Sequence, residues 1–133
     1  MRAGRLLAAA LATLFAPPLL AEELPQPIAA LQGLDKVTGR VVTLEAVVGD
    51  TVRFGTLQFI VRVCTRRPPE EPPESTAFLD VAELKPGEAP AAIFRGWMFA
   101  SSPALNAIEH PVYDVWLLDC RPLPGGPTPP IRR

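Results

Sequence analysis

The chain has 133 residues, 48% of them hydrophobic, with 17 prolines, two cysteines, a single histidine and a formal charge of −1. That length suits one domain and leaves no room for a second core. The slight acidic excess excludes the basic footprint that a nucleic-acid partner requires.

In chain order, "MRAGRLLAAALATLFAPPLLAEELPQP" carries the parts of an export signal, so residues 1–21 are read as a signal peptide. Arg2 and Arg5 supply the basic start, and Leu6 to Ala16 is an apolar run too short to span a bilayer. Pro17 and Pro18 would break an anchor helix there, and Ala21 offers a small residue at the cut, with Ala16 as the second choice. Cleavage would leave eleven basic residues (the thirteen less Arg2 and Arg5) against fourteen acidic, a charge of −3, and no transmembrane span. No cysteine follows the apolar run, so lipid attachment has no acceptor. The expected location is therefore periplasmic or secreted.

Residues 22–35 are expected to form a linker, and the β domain to run from 36 to 120. In "GRVVTLEAVVGDTVRFGTLQFIVRVC", Val42, Leu44, Ala46 and Val48 share one parity, as do Leu57, Phe59, Val61 and Val63. Period two marks strands with one buried face, and the turns at Gly49-Asp50 and Gly55-Thr56 make these runs a three-strand meander. "TRRPPEEPPES", with four prolines and three glutamates, is an exposed, stiff loop. "TAFLDVAEL", "AAIFRGWMF" and "VYDVWLLDC" add three more strands, six in all. Between the last two, Ser102 reads as an N-cap, Pro103 as the first helical residue and Pro111 as the stop, predicting a short helix over 103–109. "RPLPGGPTPPIRR", residues 121–133, reads as a Pro-rich disordered tail.

An exported chain with two cysteines is most simply closed by one disulfide, Cys64–Cys120, the alternatives being a metal-thiolate pair or two free thiols. The fold class is all-β: a small single-domain β-sandwich or partly open barrel with one short helix and one disulfide.

The segment Gly96 to Cys120 holds two Trp, the one His and the one Tyr. A catalytic reading makes Ser101 or Ser102 a nucleophile, His110 its base and Asp114 or Asp119 the orienting acid. No G-x-S-x-G elbow or Gly-rich oxyanion segment accompanies them. Carboxylate pairs, Glu109 with Asp114 or Asp114 with Asp119, lack the scaffold for a sugar-sized cleft. The strand Ala91–Phe99 is apolar on both parities, so it is either buried between two layers, which the pattern favours, or exposes an aromatic surface to a ligand or partner. The binding candidates are Trp97, Phe99, Asn106, His110 and Tyr113.

"VVGDTVRF" resembles the strand opening of exported copper-binding β-sandwiches, but such sites take two histidines with a cysteine and this chain has His110 alone. No metal and no cofactor is expected. A wider resemblance rests on "VTGRVVTLEAVVGDTVRFGTLQFIVRVC", "TRRPPEEPPESTAFLDV" and "FRGWMFASSPALNAIEHPVYDVWLLDC", which are similar to the blocks of an uncharacterised family of small exported bacterial proteins, domain of unknown function twenty-one fifty-five. The resemblance implies an exported single-domain protein and assigns no activity to any residue. The resulting expectation is a non-catalytic binding domain whose partner is another envelope protein. The rivals are a small Ser/His/Asp hydrolase and a purely structural envelope component acting through its Pro-rich loop and tail.

Overall fold

The computed structural model describes residue 4, residues 9–16 and residues 23–125. The expected cleavage site at Ala21 and the tail from residue 126 onward lie outside the described residues. Among the described residues there are eight strands: β1 (Leu24–Pro25), β2 (Ile28–Asp35), β3 (Arg40–Val47), β4 (Thr51–Phe54), β5 (Leu57–Arg66), β6 (Ser75–Glu83), β7 (Ala91–Phe99) and β8 (Tyr113–Arg121). They form two antiparallel sheets. In sheet A, β5, β6 and β7 lie in that order, and β4 and β1 pair with the two ends of the other flank of β5. Sheet B is β3-β2-β8. The sheets stack as a sandwich, and the described strands close no barrel.

The stretch expected to be a linker is in fact the centre of sheet B. β2 pairs with β3 from Ile28↔Val47 to Asp35↔Arg40 and with β8 on its other side. Ile28, Ala29, Ala30 and Leu31 are all buried, so the run shows no alternation to mark it as a strand. β2 also takes the pairing that the expected meander gave to β4: β3 belongs to sheet B, and the chain crosses to sheet A at Gly49, whose φ of 92° no side-chain-bearing residue adopts readily. The β4–β5 hairpin turns at Gly55-Thr56 as expected, with Phe54 opposite Leu57.

One core lies between the sheets. It holds Ala29 and Leu31 from β2, Leu57, Phe59 and Val61 from β5, Leu79 and Val81 from β6, and Val115 and Leu117 from β8. The inward parity of β5 stops at Val61. A bulge between Val61 and Val63 leaves Arg62 without an opposite residue, turns Val63 outward at 38% exposure and brings Cys64 inward. β8 repeats the device, because Leu117 faces Leu31 and Asp119 faces Ala30, so Leu118 is the extra residue and Cys120 turns in. The two inward cysteines form a disulfide across the sandwich with Cα atoms 5.7 Å apart. Closing a loop of 56 residues stabilises the fold by about 4 kcal/mol in the chain-entropy model.

The predicted helix over 103–109 is absent. Residues 100–112 form a loop of turns, with Leu105 N–H donating to the Ser102 carbonyl at 3.1 Å. A helix this short forms only when packing favours it. Here tertiary contacts are made instead by Ile108, 2% exposed, and His110, 7% exposed, which share a side and point inward.

Candidate functional site

The five binding candidates divide between two places. Trp97 and Phe99 project from the outer face of sheet A. Trp97 is 42% exposed, which corrects the favoured expectation of burial; the inward face of β7 is instead built by Phe94, Gly96 and Met98. Cross-strand pairing lines up Val63, Phe78 and Trp97 as one row, and the Trp97 indole meets Phe78 edge-on at 5.2 Å. In the neighbouring row Asp80 sits opposite Arg95 and accepts from Arg62 Nε at 2.8 Å and from Arg95 Nε at 3.2 Å. The Arg95 guanidinium also lies 5.8 Å above the Phe78 ring. A bulge at Ile93 bends β7 beside these rows, and an open groove of about 470 Å³ follows, lined by Gln58, Ile60, Asp80, Ala82, Ile93 and Arg95. Asn106 donates to the Trp97 carbonyl at 2.7 Å, so it fixes the rim of this face from the 100–112 loop.

His110 and Tyr113 belong to a closed corner at one end of the sandwich. His110 Nδ1 accepts the backbone N–H groups of Val112 at 3.1 Å and Tyr113 at 3.0 Å, so Nε2 bears the proton and donates it to Glu83 Oε1 at 2.9 Å. The His110 hydrogen bond holds the Glu83 carboxyl below the usual 4.5; desolvation opposes it, and the Lys85 charge assists. Lys36 Nζ donates to the His110 carbonyl at 2.8 Å. Tyr113 stacks on the imidazole with centroids 5.5 Å apart and meets Phe54 edge-on at 5.4 Å. Two glycines admit these rings: a Cβ on Gly33 would sit 2.9 Å from Phe54, and one on Gly55 would overlap the Tyr113 ring. Glu83 and Lys36 carried no sequence signal, since their partner is 27 residues away for one and 74 for the other.

The Ser/His/Asp set is not assembled. Ser101 donates its hydroxyl to Glu74, just before β6, whereas His110 is bound to Glu83 at the end of β6. Nine residues of extended chain separate those anchors by about 30 Å. The Nδ1 lone pair of His110 is taken by two amides, and its Nε2 faces a carboxylate, so neither nitrogen addresses a hydroxyl. Burial raises the Glu74 carboxyl, but the Ser101 hydroxyl, the amides of Ser101 and Ser75 and the Arg67 charge together bring it below its usual value. Ser102 uses its carbonyl in the loop turn. Asp119 accepts from the Ser75 hydroxyl at 3.0 Å and the Cys120 amide at 2.8 Å, beside the disulfide. Asp114, on β8, borders a recess with Pro103, Ala104, Ala107 and Trp116, while Glu109 is exposed on the loop. Among the described residues no three His, Cys, Asp or Glu side chains are grouped to hold a metal, and no helix is long and apolar enough to cross a membrane.

Fold and surface together define a small disulfide-stapled β-sandwich with one open aromatic face. The chain belongs to a family described as an uncharacterized protein conserved in bacteria (DUF2155), whose model matches residues 29–120. An uncharacterized protein of Rickettsia prowazekii (strain Madrid E), RP359, is 28% identical over 87 residues, which is 65% of this chain. The match spans 56% of that relative's length, so the chain covers about half of it. No solved structure matches.

Proposed function

We propose that this protein is an exported, non-catalytic interaction domain, and that it docks another envelope protein on the outer face of sheet A. The observation that carries the reading is the cross-strand row Val63–Phe78–Trp97, in which an indole stays 42% exposed on the outer face of the sheet. Large aromatic side chains at the middle of a surface are the usual anchors of protein interfaces, and arginine is the charged residue most enriched there. The flanking charges are Arg62 and Arg95 against Asp80, an excess of one positive charge in a chain that is acidic overall. The matching partner surface is apolar with acidic residues beside it.

Export is supported from two sides. The disulfide fits an oxidising compartment, and the apolar residues Leu11, Leu14 and Phe15 stand 87%, 97% and 92% exposed instead of joining the core. Separation of Ser101 from His110 supports a role without catalysis.

In-cell crosslinking of the tagged protein, with mass spectrometry of what co-purifies, tests the proposal. A dominant envelope partner that is lost in Trp97→Ala while the variant stays folded is the expected result. An unchanged partner in that variant, or labelling of the folded protein by a serine-reactive probe, overturns it.

A further inference from the structure

Four strand edges end the two sheets, and three of them are blunted. In sheet A, β7 carries the Ile93 bulge and the Asn106 side chain on its Trp97 carbonyl, and the opposite flank is closed by β4, four residues long, and β1, two residues with Pro25. In sheet B, β8 carries the Leu118 bulge, and the 103–107 turn lies beside Asp114 and Trp116. β3 has none of these devices. It runs eight residues in unbroken register with β2, holds neither proline nor bulge, and has charges only at Arg40 and Glu45. Among the described residues nothing pairs with its outer side. An edge of this kind is a ready template for another strand.

We infer that β3 pairs antiparallel with β3 of a second copy, joining two three-stranded sheets into one of six. Val48 N–H donates to the Pro27 carbonyl, so the even-numbered residues of β3 hydrogen-bond to β2. The N–H and C=O groups of Val41, Thr43, Glu45 and Val47 therefore point away from β2 along the open edge. Those same four side chains face solvent, and the apolar ones, Val41 at 50% and Val47 at 42% exposure, lie three residues either side of Leu44. A two-fold axis at Leu44 accordingly sets Val41 opposite Val47 of the other copy, twice, and Thr43 opposite Glu45, twice. Every one of these pairs is of the hydrogen-bonded kind, which satisfies all eight outward N–H groups of the two strands. The two Glu45 carboxylates are diagonal neighbours, and each has Arg121 Nη1 3.8 Å away to offset its charge. The dimer would carry two copies of the sheet A face.

Sedimentation of the protein as it accumulates in bacterial cells, over a range of concentrations, tests the pairing. The expected result is a monomer–dimer equilibrium, weakened about tenfold or more when V41K is combined with V47K, because the new pairs set like charges opposite each other. Thr43→Pro, which removes an outward N–H and no bond to β2, should also yield monomer. If Thr43→Pro fails to fold, the double-lysine variant decides alone, its changes being on exposed side chains. Wild type that stays monomeric throughout, or a dimer that survives the lysine pair, overturns the inference. Trp97→Ala leaves this equilibrium unchanged, so loss of a heterologous partner and loss of the dimer are read separately.

Discussion

The His110 corner and the Trp97 face draw on the same short segment of sequence and use it in opposite ways. At the corner every polar atom of the imidazole is engaged within the chain, by two amides and a carboxylate, and the stacked Tyr113 and the Phe54 beside it are each seated on a glycine. On the face, Trp97 has one aromatic neighbour and 42% of its surface turned to solvent. A histidine whose hydrogen-bonding capacity is spent locally holds a fold together and has nothing left for a substrate. A tryptophan left open on a sheet costs solubility without stabilising the fold in proportion, which supports the docking face proposed above. The comparison assigns structure to the residue that looked most catalytic.

The strongest way to break the corner-and-face picture is to release the staple that holds both sheets in place. Cys64→Ser should lower unfolding free energy by about 4 kcal/mol, measured by denaturant titration against wild type. Thiol counting on native protein offers a direct check, and two reduced cysteines would remove the staple from the account. His110→Ala comes next. It leaves the Val112 and Tyr113 amides without their acceptor and removes the ring on which Tyr113 stacks, a loss of about 2–3 kcal/mol. If His110 were an idle surface residue, the same variant would unfold at the wild-type denaturant concentration.

Acid sharpens the contrast because the corner and the Ser101 contact each carry a carboxyl held low. Glu83 and Glu74 both keep their protons off to lower pH in the folded chain than in the unfolded one. Their contribution is therefore complete above the usual carboxylate value of 4.5 and is lost as pH falls below it through the depressed folded values, since the unfolded chain takes up protons first. Thermal melts at stepped pH below that value should show the melting temperature of wild type falling faster than that of Glu83→Gln. Equal slopes would show that the His110–Glu83 contact does not distinguish the two states.

Much of the sandwich was readable because alternation is a direct consequence of the pleat: Val42, Leu44 and Ala46 face inward as their parity requires. β2 escaped because "IAAL" is buried on both faces, which erases the alternation. Val63 and Cys64 exchanged faces because a bulge inserts one residue without any composition cue, and the disulfide could be read from two cysteines while the two bulges that aim them could not. The helix over 103–109 was expected from caps and prolines, but local signals are weak beside the burial of Ile108 and His110. Of the site, the residue types were legible and their partition was not. His110 and Trp97 are 13 positions apart in sequence, and only the loop from 100 to 112 decides that they serve different ends.

The smallest stability effect carries the most information about function. Trp97→Ala deletes the largest side chain of the face, yet the surface it buries is limited by its 42% exposure and its one close aromatic partner. Edge-to-face pairs contribute about 0.5–1.5 kcal/mol beyond area, so the variant should lose about 1–2 kcal/mol. A fully enclosed aromatic such as Phe59, 0% exposed, should lose about 3–5 kcal/mol on the same truncation. Phe78→Ala and the double variant close a cycle whose coupling isolates the ring pair, with about 1 kcal/mol expected. A Trp97→Ala loss as large as that of Phe59→Ala would make Trp97 a core residue in all but position, and the case for a docking face would go with it. A small loss of stability together with a large loss of partner capture requires that the indole spend its contact energy on another molecule.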